Sequence, residues 1–185
     1  MNTKILLISF ILLYSGFAAN AQEKNEKEKS NNVSDHVYGV GASYFSLVNG
    51  AAFGANFAYR SNYKTWGDNR SLSWTVTPGI GNHFDIPSKS QYIIDLPLLF
   101  CYNQGYSATS RYSKGVGFFF GLGAGAHIYQ RNGLGFGPEF GAGVRGRIGS
   151  VPMELRIDFH WDLVLFTNDV TGVHLNILLN QKKAD

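Results

Sequence analysis

The sequence predicts an all-β protein, an eight-stranded antiparallel up-and-down transmembrane β-barrel. Three observations predict it. Three successive segments between Val116 and Leu163 alternate with period two, which is the side-chain period of a strand. Their two rows differ in kind. Val116, Phe118, Phe120, Leu122, Ala124, Ala126 and Ile128 oppose a row that runs Gly, Phe, Gly, Gly, Gly, His, Tyr from Gly117 to Tyr129. Lastly, no apolar run approaches the ~20 residues of a membrane-spanning helix.

The second observation sets the orientation. A soluble sheet would bury the oily row and show water the other. The row from Gly117 to Tyr129 carries no full charge, and its glycines would weaken a solvated strand for no gain. Turned inside out, small and charged residues line a narrow lumen and long apolar side chains face lipid, the dyad pattern of a membrane barrel. The next two segments repeat it. Leu134, Phe136, Pro138, Phe140, Ala142, Val144 and Ile148 oppose glycines with Glu139, Arg145 and Arg147; Met153, Leu155, Ile157, Phe159, Trp161 and Leu163 oppose Glu154, Arg156, Asp158, His160 and Asp162.

Taken in order, the chain opens with Lys4 and an apolar run, Ile5 to Tyr14, followed by Ala19-Asn20-Ala21. This reads as a secretory signal peptide over 1–21, cleaved after Ala21. Residues 22–35 mix charges without apolar content, a disordered linker. The barrel spans 36–180 and residues 181–185 are a C-terminal tail. The expected strands are 36–47 (Tyr38, Val40, Ala42 and Tyr44 outward), 51–60 (Phe53, Ala55, Phe57 and Tyr59 outward, Asn56 and Arg60 inward) and 71–81 (Leu72, Trp74 and Val76 outward, Ser73, Thr75 and Thr77 inward). There follow 91–103 (Ile94, Leu96, Leu98, Phe100 and Tyr102 outward), the three segments above, and 171–180 (Val173, Leu175, Ile177 and Leu179 outward). Val48-Asn49-Gly50 marks a hairpin turn, since Asn-Gly tolerates positive φ. Pro78, Pro97 and Pro138 fall inside strands, where proline cannot donate to a ladder, so each is expected at a bulge or a wide pair, or else marks a misplaced strand boundary. With both termini in the periplasm, the inner connections are 61–70, 104–114 and 149–151, the first two long for periplasmic turns.

Composition agrees with this class. Charged residues are 16% and aromatics 15%, with 22 glycines; soluble domains average about 25% charged. A net charge of +3, less Lys4 after export, implies no nucleic-acid partner. Cys101 is the only cysteine, so no internal disulfide forms, and it reads as a small lumen filler. An exported membrane protein without a spanning helix fits the outer membrane of a Gram-negative cell.

Ile94-Asp95-Leu96-Pro97-Leu98-Leu99-Phe100-Cys101-Tyr102 resembles the Leu/Ile-Pro-Leu-Leu segment of small outer-membrane barrels common in Bacteroidetes, the porin-family or PorT-like proteins. Phe118-Phe119-Phe120-Gly121-Leu122-Gly123-Ala124-Gly125 looks like that family's next strand, and Ala-Asn-Ala-Gln like its cleavage region. The resemblance implies an eight-stranded outer-membrane barrel with no settled biochemical activity. Departures are short external loops and a chain end without a terminal aromatic. Gly172, Leu175 and Ile177 give a Gly-x-x-Φ-x-Φ last strand, similar to the signal read by barrel-assembly machinery.

The alternation puts Arg60, Asp95, Glu139, Arg145, Arg147, Glu154, Arg156, Asp158, His160 and Asp162 in the lumen, as a structural polar network. An eight-stranded barrel is only wide enough for its own side chains, so these charges should pair and fill it. The expected function is a structural or interaction role in the cell envelope. The expected partners are outer-membrane lipid and, during insertion, the assembly machinery. The alternative is a narrow low-conductance pore, and a third reading is a lipid-modifying enzyme. No catalytic, cofactor or metal residues are assigned: His160 lies two residues from Asp158 and Asp162 without an evident nucleophile, and His127, His160 and His174 face inward at spacings that specify no metal.

Overall fold

The computed structural model describes residues 30–31, 35–47, 50–83, 91–129, 133–163 and 169–180. Residues 1–21, expected as a signal peptide, and 181–185, expected as a tail, lie outside the described residues, as does most of the 22–35 segment.

Eight strands follow one another around a ring. They are β1 (Asp35–Leu47), β2 (Gly50–Trp66), β3 in two halves (Arg70–Val76 and Gly79–His83), β4 (Gln91–Gln104), β5 (Gly117–Tyr129), β6 (Gly133–Ile148), β7 (Val151–His160) and β8 (Val170–Leu178). Each pairs antiparallel with the next. The ring closes where β8 pairs with β1, from Val170 opposite Leu47 to Leu178 opposite Gly39. Closure removes every free strand edge, which is how an isolated sheet satisfies its backbone where water is excluded. Ser30–Asn31 adds a short pairing to Thr65–Trp66, where β2 runs on below the end of β1.

The two rows separate as the alternation requires. Outward side chains such as Leu122 and Phe136 are 58% and 53% exposed, and Trp74, Leu155 and Ile157 lie on the same outer wall. Arg156, His174 and Asn176 are fully buried inside. The barrel thus carries its oily residues outside and its charges in the core.

Two expectations are corrected. The connection placed at 61–70 is strand down to Trp66, leaving only Gly67-Asp68-Asn69 as a turn, with Gly67 at positive φ (59°). A register shift between Asn62 and Lys64 changes the facing phase there. The prolines are also not at bulges. Val76 opposes Tyr59 and Gly79 opposes Asn56, so β3 keeps step across Pro78. Pro97 and Pro138 sit in unbroken register with Gly125 and Ala124. Each occupies a hydrogen-bonded pair and keeps its acceptor half: the carbonyls of Pro78, Pro97 and Pro138 accept from Phe57, Thr77 and Trp161. One bond per proline is lost and the register survives.

Candidate functional site: the filled lumen

The interior divides along the barrel axis. We call proximal the end that carries Asp35 and Leu178, and distal the end of the β1–β2 hairpin.

The proximal half is a connected polar network. Arg145 and Glu154 face each other across β6 and β7, and Arg145 Nε donates to Glu154 Oε2 at 2.5 Å. Arg145 Nη1 donates to Asn103 Oδ1 (2.8 Å), which also accepts from Arg60 Nη1 (3.3 Å). Asn103 Nδ2 donates to Ser73 Oγ at 2.9 Å. Glu154 Oε1 accepts from Asn176 Nδ2, and Asn176 Oδ1 accepts from Asn56 Nδ2. The Arg145 guanidinium lies 4.1 Å from the Phe119 ring centroid, and Phe119 packs with Leu99 and Cys101. A cation over an aromatic face keeps part of its stabilisation when desolvated.

A plug lies within this end. In the connection between β4 and β5, Tyr106, Ser107, Ala108 and Thr109 are buried. Arg60 Nη2 donates to the Ser107 carbonyl, Asn62 Nδ2 and Ser71 Oγ donate to the Ala108 carbonyl, and Thr109 Oγ1 donates to the Asp68 carbonyl. Asp35 Oδ2 accepts from the Ser110 amide at 2.7 Å. Ser107 adopts a positive φ of 56°, a conformation that a non-glycine residue holds only when its surroundings enforce it.

At mid-barrel Arg156 Nε donates to both Asp158 oxygens (2.7 and 2.6 Å) and Nη1 donates to Thr77 Oγ1. Asp158 Oδ2 lies 3.3 Å from His174 Nε2, and His174 Nδ1 shares a 2.8 Å hydrogen bond with Ser43 Oγ. Serine, histidine and aspartate in line are the residue types of a hydrolytic relay. The geometry departs from one: the serine sits on Nδ1, Arg156 holds the carboxylate, and Phe45 packs edge-on against the imidazole. Ser43 is 3% exposed. The chain holds these groups as buried hydrogen-bond partners.

The distal half is built from histidines and acids. His160 Nδ1 is 3.7 Å from Glu139 Oε2, and the His160 ring meets that of His127 edge-on with centroids 4.6 Å apart. Asp95 sits opposite His127 on the neighbouring strand. Both nitrogens of His127 and His160, both Glu139 carboxylate oxygens and Asp95 Oδ1 are buried without a hydrogen-bond partner. The glycines of β5 and β6 make room for these side chains. A Cβ on Gly125 would strike Glu139 Oε2, and one on Gly135 would strike the His127 ring. Beside the cluster, Phe45, Ala52, Ile93, Tyr129 and Val170 form an apolar core. Among the described residues, no three His, Cys, Asp or Glu side chains converge as a metal site.

Of the ten residues assigned to the lumen, Arg60, Asp95, Glu139, Arg145, Glu154, Arg156, Asp158, His160 and Asp162 are buried. Arg147 is half-buried at the proximal rim, close to the β6–β7 turn, with its Nε buried. Pairing is also less complete than the balance of charges implies. Arg145–Glu154 and Arg156–Asp158 are the arginine–carboxylate pairs of the described interior, and Asp95 and Glu139 form no ion pair with an arginine. Asn103, Asn176, Phe119 and the plug were missed. Asn103 and Asn176 carried a signal, amides on inward strand positions, whereas the plug carried none.

These features define a class: the small, closed, eight-stranded β-barrel of the outer-membrane type. Among the solved structures that share the fold are those of two bacterial proteins. Ail, the attachment invasion locus protein of Yersinia pestis, solved in complex with the heparin analogue sucrose octasulfate, is 10% identical with a TM-score of 0.53, over 79% of this chain and 99% of that one. Neisserial surface protein A is 14% identical with a TM-score of 0.51, over 83% of this chain and 99% of that one. At such identities the likeness is one of fold. No family model matches the chain, and no curated protein does.

Proposed function

We propose that this chain is an integral outer-membrane barrel with a filled, largely closed lumen and a structural or interaction role in the cell envelope. The observation that carries it is the outer wall. Leu122, Phe136, Trp74, Leu155 and Ile157, from four different strands, expose an apolar surface that water would not tolerate and hydrocarbon would cover. Lipid is then the chief partner, with export by the N-terminal signal and insertion by barrel-assembly machinery reading Gly172, Leu175 and Ile177. The narrower assignment, to the porin-family or PorT-like barrels of Bacteroidetes, draws support from Ile94–Tyr102, which forms the middle of β4.

The test is folding into detergent followed by electrophoresis with and without boiling. The unboiled barrel should migrate anomalously until heated, and planar-bilayer recording should show no steady conductance. A monomer that dissolves in plain buffer without surfactant would overturn the membrane assignment, and nanosiemens-scale openings would overturn the closed lumen.

A further inference from the structure

The charges of this barrel are sorted. Asp95, Glu139, Glu154, Asp158 and Asp162 are buried inside, against Arg60, Arg145 and Arg156. The proximal rim has the opposite balance. Each of its three connections is bordered by basic side chains: Lys64 and Arg70 flank the β2–β3 turn, Arg111 and Lys114 lie on the β4–β5 connection, and Arg147 lies beside the β6–β7 turn. Among the described residues of that end the acids are Asp68 and Asp35, and Asp35 is already occupied, accepting from Asn62 and from the Ser110 amide.

Apolar groups border the same rim. Val116 and Ile148 are 74% and 71% exposed, and Tyr63 and Val151 are exposed beside them. Lys64 Nζ lies 4.9 Å from the Trp66 ring centroid. Apolar and aromatic side chains next to lysines and arginines are the arrangement that suits a membrane–water boundary, with the cations at headgroup depth. The plug makes the collar firm. Its inner residues are locked to Arg60, Asn62 and Ser71, so Arg111 and Lys114 project from a fixed platform.

We propose that this proximal collar binds the phosphates of anionic phospholipids in the leaflet at the barrel's terminal end. The inference rests on the membrane assignment above. Guanidinium and ammonium groups attract anionic headgroups with a free energy that accumulates per cation near the surface. Phosphate suits the arginines in particular, which can engage it through two parallel N–H donors. The collar then sets the depth and tilt of the barrel from below, while the oily wall sets them from the side.

The full chain is folded into nanodiscs of mixed phosphatidylcholine and phosphatidylglycerol, with folding verified by heat-dependent mobility. The lipids that remain on the released barrel are counted by native mass spectrometry. Phosphatidylglycerol should be enriched about fivefold or more over its share of the bilayer. The double variant Arg111→Gln/Lys114→Gln, altered at two positions outside the barrel wall, should lose most of that enrichment, and raised salt should weaken it in the parent. A barrel that folds normally yet retains both lipids in bulk proportion overturns the collar alone. The same follows if the double variant keeps the full enrichment. A chain that never enters the nanodisc overturns the membrane assignment and the collar with it.

Discussion

The two halves of the lumen are packed from similar residue types but solve burial differently. In the proximal half, Arg145, Glu154, Asn103, Arg60 and Asn176 form an unbroken chain of hydrogen bonds. In the distal half, Glu139, His127, His160 and Asp95 lie close together with buried nitrogens and oxygens that make no hydrogen bond. A buried charge is tolerated when it is paired and costly when it is alone. The proximal network therefore holds the barrel together, and the distal cluster is carried by the rest of it.

That contrast can be broken by substitution. The largest effect is expected at Glu154→Gln, which leaves Arg145 buried without its carboxylate and should cost about 3–5 kcal/mol in urea unfolding of the lipid-inserted barrel. Glu139→Gln, the same change in the distal half, leaves no arginine stranded and should move stability by less than about 1 kcal/mol. Equal costs at the two positions would abolish the distinction. Asn103→Leu strips partners from Arg60, Arg145 and Ser73 and should cost about 2–3 kcal/mol, whereas His127→Leu should be close to neutral; comparing the two denaturation midpoints checks this. The smallest pair concerns glycines. A Cβ on Gly143 would meet the Leu155 carbonyl and the Phe119 ring, which cannot easily give way, so Gly143→Ala should cost about 1–3 kcal/mol. Gly125→Ala would meet only the ends of Glu139 and His160, which can swing aside, and its thermal midpoint should fall less.

Much of the fold was legible because a closed barrel writes its two faces into every strand. Phe118, Phe140 and Phe159 could be placed outward, and Arg156 and Asp158 inward, without knowing any neighbour. Legibility failed where the local pattern broke. The register shift after Asn62 put Asn62 and Thr65 both inward, an odd step that hid the last turn of β2 from a search for alternation. Arg147 kept the inward phase but lies close to the β6–β7 turn and is only half-buried, which alternation alone does not show. Pairing was not legible at all, because it depends on which strands meet. Ser43 and His174 belong to the first and last strands, and the plug is held by Arg60, Asn62 and Ser71, residues that sequence separation keeps far from Ser107 and Ala108.

The three strand prolines have a mechanical consequence. Thr77, next to Pro78, stands opposite Pro97; Pro97 stands opposite Gly125, and Gly125 opposite Gly137, next to Pro138. The missing donors thus lie at one level of the barrel, in the β2–β3, β3–β4 and β6–β7 seams, while the β4–β5 and β5–β6 ladders lose none. A cylinder with a rivet missing from each of three seams yields at those seams first, so squeezing by the surrounding bilayer strains β2–β3, β3–β4 and β6–β7 before the proline-free seam between β8 and β1.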